Sequence, residues 1–151
     1  MESIIRIAEN HDLKQLLPLV MQYHEFEGIQ QSLSVCEKSL APLLATQQFG
    51  YILILEQKNR LIGYIAVCFG YSIEFAGRDA FIDEFYLLPE FRSKGYGRQM
   101  FEKICDELRQ NGFKAMHLEV KKSNKKARLF YEKWGFNNRE CFNMMTHSIS
   151  N

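Results

Sequence analysis

The chain has 151 residues, 46% apolar and 25% charged, which suits one ordinary soluble domain (1–151) with enough material for a real core. No apolar run approaches the roughly 20 residues of a membrane-spanning helix, and Met1-Glu2-Ser3-Ile4-Ile5-Arg6 lacks the basic-then-apolar pattern of a signal peptide. A cytoplasmic protein without a membrane partner is therefore expected. The net charge of +1 hides an asymmetry: residues 1–90 carry 6 Lys/Arg against 12 Asp/Glu, and residues 91–151 carry 13 against 6. Two such halves suit two substrates of opposite charge.

Ile4 to Ala8 reads as a short strand. Asp12 is placed to cap a helix bearing Leu13, Leu16, Leu17, Val20 and Met21, with Pro18 inside it as a kink or reset. Ser34-Val-Cys-Glu37 has capping-box spacing before Leu40, Leu43 and Leu44, predicting a second helix. Tyr51 to Glu56 and Leu61 to Ile73 are β-rich and separated by Lys58-Asn59. Gly77-Arg78-Asp79 reads as the next turn, and Phe81 to Leu88 as a strand stopped by Pro89. Short turns make these three strands an antiparallel meander.

"RSKGYGRQMF", residues 92–101, follows. After it Met100, Phe101, Ile104, Cys105 and Leu108 recur at helical spacing up to Gly112. Ala115 to Val120 predicts a strand parallel to an earlier one. Ser123-Asn124 opens a last helix with Ala127, Phe130, Tyr131 and Trp134 on one face, ended by Gly135. Cys141 to Ile149 predicts a final strand. The order β-α-α-β-β-β-α-β-α-β is a mixed α/β sheet with helices on both sides.

The glycine segment is neither a P-loop nor a complete dinucleotide fingerprint, because GxxxxGK[ST] is absent and Gly95-Tyr96-Gly97 has no third glycine. What it offers is a strand, a two-glycine loop and a helix N-terminus. Amides from Ser93 to Arg98 could line one concavity, glycine allows close approach, and Arg92, Lys94 and Arg98 add charge. The pattern permits a diphosphate seat without requiring one. Cys36, Cys68, Cys105 and Cys141 show no CxxC spacing and read as reduced thiols. His11, His24, His117 and His147 show no ligand spacing, so no metal is expected.

Arg92-Ser-Lys-Gly95-Tyr-Gly97 resembles the [Q/R]-x-x-G-x-[G/A] motif of the GNAT superfamily of acyl-CoA-dependent N-acetyltransferases. Residues 123–136, "SNKKARLFYEKWGF", resemble its second signature at Asn124, Ala127, Phe130, Tyr131, Glu132, Lys133, Gly135 and Phe136. The resemblance implies a GNAT fold, in which two parallel strands splay into a V-shaped slot for acetyl-CoA. By the same resemblance Phe85, Tyr86 and Leu87 pair with the pantetheine arm. Ser93, Lys94, Gly95, Tyr96, Gly97 and Arg98 seat the pyrophosphate with Arg92 beside them, Asn124 contacts the arm, and Tyr131 protonates the leaving thiolate. By its own pattern Tyr131, sharing a stripe with Ala127 and Trp134, reads as a core aromatic, and the donor role comes from the family motif.

Transfer to an amine needs a neutral nucleophile. With a lysine-like pKa near ~10.4, fewer than about one molecule in a thousand is neutral at pH 7. Asp83 and Glu84, just before the expected bulge, are near-equal candidates for the proton acceptor. Ideal strand geometry sends them to opposite faces. An acidic pair at this distance from the loop resembles polyamine acetyltransferases and hints at a cationic acceptor. An N–H near Leu87 could hold the oxyanion.

Tyr23-His24-Glu25-Phe26-Glu27 is expected in a loop after the first helix, with Tyr23, Glu25, Phe26 and Glu27 walling the acceptor site. The cluster Lys121, Lys122, Lys125, Lys126 and Arg128 is read as cofactor steering, with no aromatic platform for nucleic acid. Only fifteen residues follow Phe136, so a second subunit could complete the sheet as a homodimer. The expected activity is direct, metal-free acetyl transfer to a primary amine. The rivals are a non-catalytic acyl-CoA sensor and a nucleic-acid-binding domain.

Overall fold

The computed structural model describes residues 2–150, so Met1 and Asn151, at the two ends of the expected domain, lie outside the described residues. Backbone contacts divide the chain into two compact units, Met1–Glu119 and Val120–Asn151.

The first unit holds one five-stranded sheet in the order β1-β2-β3-β4-β5. The strands are β1 Ser3–Ile7, β2 Gly50–Gln57, β3 Arg60–Ser72, β4 Gly77–Leu87 and β5 Ala115–Leu118. β2, β3 and β4 form the expected antiparallel meander, β1 adds antiparallel to β2, and β5 joins the sheet in parallel as expected, with β4 as its partner. The apolar runs Tyr51–Leu55 and Leu61–Val67 lie at the centre and are buried. Lys58 and Asn59, at φ 51° and 61°, form a two-residue turn of the kind that matches strand twist. Gly77-Arg78-Asp79 is not the next turn. These residues begin β4, with Gly77 opposite Ser72, and the reversal occupies 73–76.

Helices α1 (Leu13–Glu27) and α2 (Leu33–Ala45) pack on one face, α1 against β3 and β4 and α2 against β2. On the other face lies α3 (Tyr96–Gln110), which buries Met100, Phe101, Ile104 and Leu108. Its Phe101 ring meets Phe85 of β4 at 5.3 Å. Gly112, at φ 75°, ends α3, and the next amide, of Phe113, returns to Leu108 O at 3.0 Å.

Three local expectations change. The cap of α2 is Ser32, whose Oγ accepts from Val35 N–H at 3.3 Å, so Ser34 already lies inside the helix. Pro18 does not reset α1, which runs on to Glu27 and buries Leu16, Leu19, Val20 and His24. Asp12 does not cap α1 with its side chain. It sits in a 3-10 turn, Asn10–Asp12, and accepts from the Glu9 amide at 2.8 Å.

The second unit contains α4 (Lys125–Lys133), opened by Asn124, whose Oδ1 accepts from Ala127 N–H at 3.2 Å. The strand expected over Cys141–Ile149 does not form. Residues 143–150 carry no helix or strand, and Met145 and Ile149 are 89% and 88% exposed. Alternating apolar residues permit a strand, but its hydrogen bonds must come from a partner edge that local sequence does not supply.

Asp12 ties the start of the chain to the sheet. Its carboxylate accepts both Arg6 Nη atoms at 2.8 Å, while Arg6 Nη2 also reaches Glu56 Oε2 at 2.9 Å. The Arg6 bonds, more than any other cause, hold the Asp12 carboxyl below its ordinary value. A lowered folded value contributes stability above the unfolded pKa and loses it as pH falls through the folded one. Arg6 keeps contact with water, so Asp12→Ala is expected to cost about 2–3 kcal/mol at pH 7 rather than the full penalty of a buried pair. Urea unfolding at pH 7 and in acid checks this: the deficit should shrink below the usual carboxylate range.

Candidate active site

The site is built on an irregularity of β4. Ile82 stands opposite Val67 and Glu84 opposite Ala66, so two steps along β4 match one along β3, with Asp83 as the extra residue. The bulge is thus at Asp83 itself, not after Glu84, and strict alternation fails there. Beyond it Phe85 packs on α3 while Tyr86 meets Tyr23 of α1, ring centroids 6.3 Å apart.

On its other side β4 pairs with β5 only from Asp79 to Ile82. From Asp83 to Leu87 that edge has no strand partner among the described residues. Leu88 N–H bonds Ile62 O toward β3 at 2.9 Å, so by strand alternation the N–H and C=O of Leu87 point to the open edge. Arg92 Nε donates to that carbonyl at 2.8 Å. The Leu87 amide is left facing the opening, where an oxyanion or an amide-bearing ligand could be met.

Next to the bulge lies a buried polar cluster. Glu84 accepts Tyr64 O–H on Oε1 at 2.9 Å, and its Oε2 lies 2.6 Å from His24 Nε2. The His24 Nδ1 lies 3.6 Å from Cys36 Sγ on α2. His24 is only 8% exposed. Burial raises the Glu84 carboxyl above its ordinary value; the bonds from His24 and Tyr64 pull it back, and Asp83 pushes it up again. Asp83 keeps contact with solvent, yet the protein around it raises its carboxyl too, against the pull of His24. Tyr64 is driven well above its usual value, first by burial and then by Glu84, so it stays a donor. The cluster can hold a carboxylate in one orientation and make it a stronger base than a solvated glutamate.

The glycine loop has the conformation its sequence suggests. Ser93 and Gly95 are left-handed, at φ 59° and 86°, and a Cβ on Gly95 would meet nothing within 4 Å. The first α3 backbone bond runs from Gln99 N–H to Gly95 O at 3.1 Å, so the helix ladder does not use the amides of Tyr96, Gly97 and Arg98. Lys94 and Arg98 are exposed beside them. These features fit a diphosphate. Two side chains serve as anchors instead: Tyr96 Oη accepts from Gln57 Nε2 at 2.9 Å, and the Arg92 guanidinium lies over the Tyr86 and Phe26 rings at 5.2 and 5.7 Å.

Tyr23 to Glu27 do not form a loop. They are the last turn of α1, closed by Gly28 at φ 73° with Ile29 N–H bonded to His24 O at 2.8 Å. Tyr23 turns inward between His24, Tyr64 and Tyr86, while Glu25 and Phe26 are exposed and Glu27 is half-buried. Asn124 and Tyr131 belong to the second unit. There Tyr131 packs on Phe130 and Phe136 at 5.5 and 5.8 Å, and Lys121, Lys122, Lys125 and Lys126 are exposed. No group of three His, Cys, Asp or Glu close enough to hold a metal exists among the described residues.

Sequence reasoning overlooked His24, Tyr64 and Cys36. His24 did carry a signal: it continues the Leu16–Val20 spacing at i+4 and i+8, and a histidine on a core face must find a polar partner.

Known proteins resemble this chain in fold and in sequence. A solved structure titled a predicted acetyltransferase with acetyl-CoA, from Clostridium acetobutylicum, superposes at a TM-score of 0.80 over 96% of both chains with 20% identity, which speaks for the fold. An uncharacterized N-acetyltransferase of Bacillus subtilis (strain 168), YhfO, is 30% identical over 132 residues, covering 87% of this chain and 88% of the relative. A thialysine N-epsilon-acetyltransferase of Mus musculus is 26% identical over 137 residues, covering 85% and 80%. Residues 13–136, from the start of α1 through both glycine-bearing signatures, match the sequence model of the Acetyltransferase (GNAT) family, and this chain belongs to that family.

Proposed function

We propose that the chain transfers the acetyl group of acetyl-CoA directly to a primary amine, on a small polycation or on a protein lysine or N-terminus, with Glu84 receiving the amine proton. The observation that carries this reading is the half-buried Glu84 carboxylate beside the bulge, held by Tyr64 and His24. An ammonium arriving there loses its N–H proton to Glu84, directly or through a water, with the exposed Asp83 helping to attract it. The freed nitrogen lone pair attacks the thioester carbonyl and forms the new C–N bond. The Leu87 amide is suited to the oxygen that becomes negative. The C–S bond then breaks, and the thiolate of CoA takes a proton. The family motif assigns that donation to Tyr131, and the role rests on the motif. The fit of the loop amides to a diphosphate supports acetyl-CoA as donor. The acidic pair and the mouse relative's named acceptor support an amine on a side chain or small molecule.

Incubation with acetyl-CoA and a panel of polyamines, amino acids, aminoglycosides and lysine peptides, read by thiol release, tests the activity. At least one amine should be acetylated, and acetyl-CoA binding without turnover on any of them would replace this reading with a sensor. On the best acceptor, Glu84→Gln should lower kcat/KM by roughly 100-fold or more while leaving acetyl-CoA affinity within a few fold. The wild-type acid limb should lie above the ordinary glutamate value of 4.5. Tyr131→Phe should reduce kcat at saturating amine far more than it weakens acetyl-CoA binding, and an unchanged kcat would remove Tyr131 from the mechanism.

A further inference from the structure

The His24 ring sits between two partners of opposite character. Cys36 Sγ lies 3.6 Å from Nδ1, and Glu84 Oε2 lies 2.6 Å from Nε2. Burial, then the nearby Glu84 charge, holds the Cys36 thiol protonated. A protonated thiol facing a ring nitrogen is a donor and wants a bare nitrogen as acceptor. That leaves the ring proton on Nε2, aimed at a carboxylate oxygen that can only accept while ionised. The other Glu84 oxygen takes the Tyr64 hydroxyl at 2.9 Å.

We propose that His24 is a positioning residue for Glu84: Cys36 fixes its tautomer, and its Nε2–H donates to Glu84 Oε2, orienting the carboxylate and keeping it ionised until the amine arrives. This inference rests on the proposed role of Glu84. Three elements besides β4 contribute to the device: α1 brings His24, α2 brings Cys36 and β3 brings Tyr64. The other ionisable groups that act on the cluster are Asp83 beside Glu84, Tyr23 beside Tyr64, and Cys68, which senses both carboxylates. The chain of donors runs from Cys36 through His24 to Glu84, so losing the imidazole removes one of the two bonds that favour the charged carboxylate.

Two measurements test this, one of them independent of activity. In wild-type protein labelled with nitrogen-15, long-range imidazole spectra at neutral pH should show His24 protonated on Nε2 and bare on Nδ1. The opposite tautomer, or protons on both nitrogens, would overturn the proposal. In kinetics, the acid limb of kcat/KM for the acceptor should move to higher pH by about one unit or more in His24→Leu. It should stay near the wild-type position in His24→Gln, whose amide can still donate. A limb that stays put in a His24→Leu protein with native circular dichroism would sink the idea. Should wild-type protein acetylate no amine, the proposed activity fails, while the tautomer spectrum still decides the geometry argued for His24. Should His24→Leu not fold, the spectrum and the Gln variant decide.

Discussion

Everything that gives this chain its chemistry follows from one extra residue in a strand. Asp83 is inserted into the β3–β4 ladder, and β5 stops pairing with β4 one residue before it. A regular strand with a full partner on each side would spend all its backbone groups on the sheet. Here, among the described residues, the stretch from Asp83 to Leu87 has a strand partner on one edge only. The bulge also changes which side chains face α1, and so brings Glu84 under His24.

That opening has to be held in shape by the rest of the first unit. The two-sided burial of β2 and β3 fixes the sheet's centre, and α3 presses Phe101 against Phe85 from one side. On the other side Tyr23 touches both Tyr64 and Tyr86. Arg92 then ties the loop to the strand end through the Leu87 carbonyl. In this way the motif arginine helps to shape the seat. It holds the β4–loop junction, while the groups that fit a diphosphate are the amides and the exposed Lys94 and Arg98.

The polar cluster shows why a carboxylate beside an apolar sheet is tolerable. Burial pushes the Glu84 carboxyl up, against its charged form. Two donors on its two oxygens offset part of that cost, and one of them is an imidazole whose own second nitrogen is satisfied by a thiol. A fully partnered network of this kind fixes one geometry, whereas a half-partnered one would be a liability. The balance still leaves the Glu84 carboxyl above its ordinary value, so that its ionised form is a stronger base than a solvated glutamate.

The sequence by itself determined the order of elements, the parallel β5, the loop whose two glycines permit close approach, and the family, because periodicity, turn residues and contiguous motifs are local properties. It also marked Asp83 and Glu84 as the carboxylates to watch. Only the tertiary structure set them apart, placing Glu84 against Tyr64 and His24 and leaving Asp83 exposed, since a bulge is a mismatch of register between two strands and neither strand's sequence contains it. The same holds for His24, Tyr64 and Cys36, which are 60, 20 and 48 residues from Glu84 in the chain and meet because α1 folds over β3 and β4 with α2 packed against it. Conversely, the alternating apolar residues of 141–149 suggested a strand that does not exist, because pairing is made by two segments and the sequence of one shows only half of it.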